Sequence, residues 1–121
     1  MVADSDDTQS GVIDRRRYPR EPLEVPVLID SLRAWETCQT NDISIGGLAI
    51  HCERDWGMGT LVDLYFELPG GFAVEARGRF LGLCDGVGRF RFVALARPAR
   101  SAIELQMQAT HHSGARMVHV G

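Results

Sequence analysis

Between Val25 and Leu95 apolar and polar residues alternate with the period of two that a half-buried strand requires. Val25, Val27 and Ile29 alternate first, Arg33-Ala34 reads as a turn, and Trp35 to Ile43 returns as a second strand. Gly46-Gly47 permits a sharp redirection, after which Leu48, Ile50 and Cys52 alternate along a third strand. Asp55 to Gly59 is a turn, and Leu61, Leu64, Phe66 and Leu68 mark a fourth strand. Pro69-Gly70-Gly71 turns the chain into a long fifth strand, Phe72 to Leu83, and Asp85-Gly86 closes a hairpin onto a sixth, Val87 to Leu95. Short strands with turn signals at such close intervals predict an all-β domain: a six-stranded antiparallel barrel, whose closure removes exposed edges. Pro98 then suits the first turn of a short C-terminal α-helix over 98–110, with Ala102, Ile103, Leu105, Gln106 and Ala109 packing on the barrel end.

The flanks carry no such pattern. Residues 1–14 are polar and acidic and are expected to be a disordered tail; residues 111–121 are expected to be a flexible one. Residues 15–26 contain Pro19, Pro22 and Pro26, which exclude a regular helix and predict an extended, loop-like arm leading into a barrel over 25–95. The organisation expected is thus one domain over 15–110, long enough to bury a core without disulfides or a metal.

Composition narrows the function classes. The formal net charge of -3 conceals an asymmetry, because Asp4, Asp6, Asp7 and Asp14 precede the first basic residue and the remainder is slightly basic. A nucleic-acid binder would be more basic overall, so none is expected as a partner. Cys38, Cys52 and Cys84 are widely spaced and form no Cys-x-x-Cys pair, which argues against a disulfide scaffold or zinc site and for small apolar residues in a reducing cytosol. His111, His112 and His119 have no cysteine or carboxylate at ligand spacing, so no metal is expected. An acidic start and the absence of any apolar run near ~18 residues predict a soluble, cytoplasmic protein without membrane insertion. No nucleophile elbow, Walker motif, zinc-protease motif or pair of catalytic carboxylates is present, and Ser44 has no evident histidine base, so an enzyme is not expected.

The candidate chemistry lies in two segments. Arg15-Arg16-Arg17-Tyr18-Pro19-Arg20 supplies Arg16-x-x-x-Arg20, two planar cationic forks suited to phosphate and purine edges. Asn41-Asp42-Ile43-Ser44-Ile45-Gly46-Gly47 supplies Asp42-x-Ser44-x-x-Gly47, a carboxylate and a hydroxyl on one side of an extended segment, followed by glycines without a Cβ to obstruct a base. Guanine presents O6 and N7 acceptors to an arginine fork, a contact worth ~1–3 kcal/mol of discrimination. Its N1–H and N2–H donors suit Asp42; adenine presents the wrong edge to both.

The two motifs, in this order and separated by one hairpin, resemble the PilZ domain family, bacterial receptors for cyclic di-GMP. Phe66-Glu67-Leu68-Pro69, the long strand to Leu83 and Gly88-Arg89-Phe90-Arg91-Phe92 fall in the family's order, so the likeness spans about residues 15–109. It implies a PilZ-type barrel with a ligand site formed by Arg15, Arg16, Arg20, Asp42, Ser44, Gly46 and Gly47. Arg16 and Arg20 would grip phosphates and guanines, and Asp42, Ser44 and Gly47 would line a guanine site. In the family an arginine at the place of Arg15 is associated with an intercalated dimer of the dinucleotide. The function implied is a non-catalytic receptor or adaptor without a cofactor, which changes conformation on binding cyclic di-GMP and regulates an unidentified effector protein in motility, biofilm or exopolysaccharide control. The alternative is a PilZ-type protein–protein adaptor that does not bind nucleotide. Arg77, Arg79, Arg89 and Arg91 read as an outward polar face, Trp35 and Trp56 as packing residues, and oligomeric state is left open.

Overall fold

The computed structural model describes residues 19–120, with side chains as far as residue 109. The acidic stretch 1–14, and Arg15 and Arg16 with it, lie outside the described residues. The strands are β1 (Glu21–Pro22), β2 (Pro26–Asp30), β3 (Trp35–Ile43), β4 (Gly47–His51), β5 (Leu61–Glu67), β6 (Ala73–Cys84) and β7 (Val87–Leu95), followed by helix α1 (Arg97–Val120). They are ordered β1-β3-β2-β5-β6-β7-β4, and β4 returns to β3, so β2 to β7 close into the expected six-stranded antiparallel barrel.

The inward face is set by strict alternation. On β2 it is Val27 and Ile29; on β5 it is Val62, Leu64 and Phe66, with Leu68 buried just beyond the strand. The fourth strand therefore alternates from Val62, and Leu61, expected among its apolar markers, points outward and is half exposed. β6 and β7 contribute Phe80 and Phe90, whose rings lie 5.2 Å apart with Trp56 against both at 5.5 and 5.6 Å. Glycines make that room: a Cβ on Gly88 would lie 3.2 Å from the Phe80 ring, and one on Gly78 would lie 2.8 Å from Leu64. Trp56 thus packs against the core, whereas Trp35 is 70% exposed.

The arm is not loop-like throughout. Glu21–Pro22 pairs with Ile43–Asp42 as β1, and Leu23 is buried in the core. The cause is Thr40, a fully buried polar residue of β3: its hydroxyl donates to the Leu23 carbonyl (2.8 Å), with the Val25 carbonyl at 3.0 Å, and accepts from the Val25 amide (2.8 Å). Leu23 N–H completes the tether on the Asn41 carbonyl. Thr40→Val keeps the shape but takes the hydroxyl from the Val25 amide and the Leu23 carbonyl, at a cost of about 1–3 kcal/mol. Its denaturant midpoint is expected to fall and the Leu23 amide to exchange faster.

Helix α1 follows with Pro98 in its first turn, where a missing N–H costs nothing. Ala99 and Ile103 are buried and Met107 packs beside them, an i, i+4, i+8 stripe closing on the barrel. Leu105, expected on that stripe, sits two residues from Ile103 on the far side and is 65% exposed. The helix also runs on to Val120 instead of ending at Thr110. No proline interrupts it after Pro98, and the lone Gly114 costs a helix interior only about 1 kcal/mol.

Candidate ligand-binding site

A bulge on β3 aims the acidic side chain. Thr40 pairs with Ile50 and Asp42 with Ala49, so Asn41 is the extra residue. The bulge lets Thr40 and Ile43, three positions apart, both point inward, and it leaves Asn41 and Asp42 half-buried outside. Asn41 Nδ2 donates to Asp42 Oδ2 at 3.0 Å, which steadies the carboxylate. A carboxylate has about four acceptor positions, so Asp42 keeps capacity for a ligand.

The β3–β4 turn is built by Ser44, which is 8% exposed. Its amide donates to the Gly47 carbonyl (2.9 Å), and its Oγ accepts from the amides of Gly46 (3.1 Å) and Gly47 (3.2 Å). Both hydroxyl lone pairs are thereby engaged, so Ser44 meets a ligand only as a donor. The glycine amides thus serve the turn.

Gly47 has a different role from the one its sequence suggests. A Cβ there would collide with the Phe90 carbonyl oxygen of β7, so strand contact by itself requires glycine at this position. Because the obstacle is backbone, Gly47→Ala must separate β4 from β7, an overpacking cost of about 1–3 kcal/mol. At about 4–8 °C per kcal/mol for a domain of this size, thermal unfolding is expected well below the parent.

Arg20, Asp42, Ser44, Gly46 and Gly47 line one open cleft of about 280 Å³. Leu48, Leu81, Arg89, Phe90 and Arg91 complete it. Five of the seven expected site residues are therefore together, while Arg15 and Arg16 lie outside the described residues. Arg89 and Arg91 are the residues that the sequence reading placed elsewhere. They do face outward, but β7 lies beside β4, with Gly47 opposite Arg91 and Ala49 opposite Arg89, so that outward face is the cleft wall. Arg77 and Arg79 lie away from it: Arg77 pairs with Asp63 at 3.2 Å, and Arg79 reaches the Gly59 carbonyl at 3.4 Å. Among the described residues the cleft lining carries the guanidinium groups of Arg20, Arg89 and Arg91, side chains suited to phosphate.

The family model for the PilZ domain matches residues 14–109. The chain belongs to the PilZ domain family. Among solved structures, this PilZ domain is similar to the inhibitor of motility MotI/DgrA from Bacillus subtilis (17% identity, TM-score 0.73), with 83% of this chain and 53% of that one covered. The chain thus spans about half the length of MotI. It is also similar to the PilZ domain of CeSA from a cellulose-synthesizing bacterium (21% identity, TM-score 0.61, 77% of this chain and 99% of that one). A further likeness is to the PilZ domain, with c-di-GMP, of YcgR from Escherichia coli (16% identity, TM-score 0.65, 86% and 96% covered). At these identities the likeness is one of fold. No curated protein matches the chain. Among the described residues no helix is long and apolar enough to cross a membrane.

Proposed function

We propose that this PilZ domain is a receptor for cyclic di-GMP that acts as a regulatory adaptor on an effector protein rather than as an enzyme. The observation that carries the proposal is the convergence of Arg20, Asp42, Ser44, Gly46 and Gly47 in one cationic cleft. Support comes also from the YcgR domain of the same fold, whose structure is one with c-di-GMP.

In this reading Asp42 accepts from guanine N1–H and N2–H. Ser44, restricted to donating, bonds a phosphate oxygen or a base acceptor. Arg20, Arg89 and Arg91 neutralise the phosphates or fork onto guanine O6 and N7. Arg16 approaches from the preceding segment, and Arg15 favours an intercalated pair of ligands. Ligand alters the surface offered to a partner through its differential affinity for the closed arm.

In this reading the change begins ahead of β1, because the chain from Glu21 onward is tied to the barrel. Hydrogen exchange is expected to slow on ligand addition ahead of Glu21 and to stay unchanged at Leu23 and Thr40. Equal slowing at Leu23 would contradict a hinge at β1.

Isothermal titration tests the binding itself. Cyclic di-GMP is expected to bind with micromolar or tighter Kd and with more than one ligand per chain, and cyclic di-AMP to give no heat. Absence of heat with cyclic di-GMP would overturn the proposal in favour of an adaptor that works through protein contacts alone.

A further inference from the structure

Cys38 and Cys52, far apart in sequence, face each other across the barrel wall. The β3–β4 ladder ends on Gln39 and His51, and extending its register by one residue brings Cys38 opposite Cys52. Two steps beyond that, the same register brings Glu36 opposite Arg54, and these two are joined by an ion pair of 3.2 Å. The cysteines are therefore held in register from both sides. Both side chains turn inward: Cys52, the residue just after β4, belongs to the core and Cys38 of β3 packs against it.

The backbone identifies the kind of pair. Cys52 N–H donates away from β3, to the Gly86 carbonyl, and Thr40 N–H, of the same parity as Cys38, donates away from β4, to the Val25 carbonyl. Cys38 and Cys52 thus form a non-hydrogen-bonded pair, in which Cα atoms approach to about 4.5 Å and side chains come closest. That separation lies within the range of about 4.4–6.8 Å that a disulfide spans.

We propose that Cys38 and Cys52 are a reversible oxidation site, closed to a cross-strand disulfide by a hydroperoxide. Cys38 is the half-exposed partner and reacts first. Its thiolate attacks one peroxide oxygen, the O–O bond breaks, and the departing alkoxide or hydroxide takes a proton. The Cys52 sulfur then displaces hydroxide from the Cys38 sulfenic acid, forming the S–S bond. Two thiols and one hydroperoxide become one disulfide, one alcohol (water from hydrogen peroxide) and one further water. The linkage closes the base of the hairpin that carries Asp42 and Ser44, and thiol exchange reopens it.

The surroundings keep the pair reduced at rest. Burial first, and the Glu36 carboxylate next, push the Cys38 thiol up to about 11, and burial also raises that of Cys52. Glu36 and Asp55 are the carboxylates that act on the two sulfurs, while Arg54 meets Cys52 through its backbone carbonyl and its guanidinium pairs with Glu36. Both remain thiols near neutral pH and react slowly, so closure requires sustained oxidant or alkaline pH.

The test is hydrogen peroxide treatment of the folded full-length chain, alkylation of the remaining thiols, and peptide mass mapping without reduction. The expected result is a Cys38–Cys52 peptide lighter by two hydrogens, abolished by dithiothreitol, formed equally in Cys84→Ser and absent in Cys38→Ser. Cys84, exposed and single, is expected to stay alkylatable. Because Cys84→Ser leaves both partners in place, the test does not depend on Cys38→Ser folding. Persistent alkylation of both Cys38 and Cys52, a sulfinic acid on one with the other still thiol, or pairing of either with Cys84 would each overturn the proposal.

Discussion

Phe80→Ala is expected to lower the unfolding free energy by about 3–5 kcal/mol, a large part of the roughly 5–15 kcal/mol that holds a domain folded. The Phe80 side chain is fully buried, and its ring touches both Trp56 and Phe90. Truncation removes one of three rings that pack mutually and leaves a cavity that the wall cannot close. β6 and β7 are fixed to each other along a ladder from Ala76 to Cys84, and Gly78 and Gly88 have no side chains with which to fill the void. The loss also withdraws support from Trp56, which carries the loop between β4 and β5. Urea denaturation should show a lower midpoint with little change in slope. Phe80→Leu, which retains most of the volume, is expected to lose considerably less.

The second large effect concerns the cleft. Asp42→Ala is expected to weaken cyclic di-GMP binding roughly ten- to hundredfold, because it removes the acceptor for both guanine donors, a pair worth about 1–3 kcal/mol, and each 1.4 kcal/mol is tenfold in Kd. Stability should hardly change, since this half-buried carboxylate accepts from the side chain of its neighbour Asn41 and faces the cleft rather than the core. That separation between binding and folding distinguishes Asp42 from Gly47, whose replacement strikes the β4–β7 contact. Asp42→Asn, with an acceptor oxygen but also a donor facing the guanine N–H groups, is expected to recover little. Circular dichroism confirms the fold of each variant, and titration calorimetry reads the loss. Unchanged affinity in Asp42→Ala would remove the carboxylate from the site.

Where the sequence proved legible, one physical signal dominated. The period-two alternation of Val27 and Ile29, and the Asp85-Gly86 turn into Val87–Leu95, depend only on which side chains must leave water, so they survive folding unchanged. The departures occur where something else competes with alternation. Leu61 is as apolar as Val62, and only register with β6 decides which faces inward. Thr40 is polar yet fully buried, because it bonds the arm, and the Asn41 bulge then shifts the phase so that Asp42 faces the cleft. No local pattern announces a bulge, since it is defined by the partner strand.

The site was partly legible for the same reason. Asp42, Ser44, Gly46 and Gly47 are adjacent in sequence and stay adjacent in space, and Arg20 reaches them because β1 docks on β3. Arg89 and Arg91 join from a strand about forty residues later, visible only once β7 is known to flank β4. The opposition of Cys38 and Cys52 is hidden likewise, since it rests on antiparallel register across the turn.

The proposed function puts cyclic di-GMP in the cleft between the β3–β4 turn and β7. Its most direct test is a titration of isotope-labelled protein with cyclic di-GMP, followed through backbone amide chemical shifts. The account predicts that shifts cluster at Asp42, Ser44 to Gly47 and Arg89 to Arg91, with Leu105 on the far side of the helix unmoved. Shifts centred on the helix, or none at saturating ligand, would contradict it.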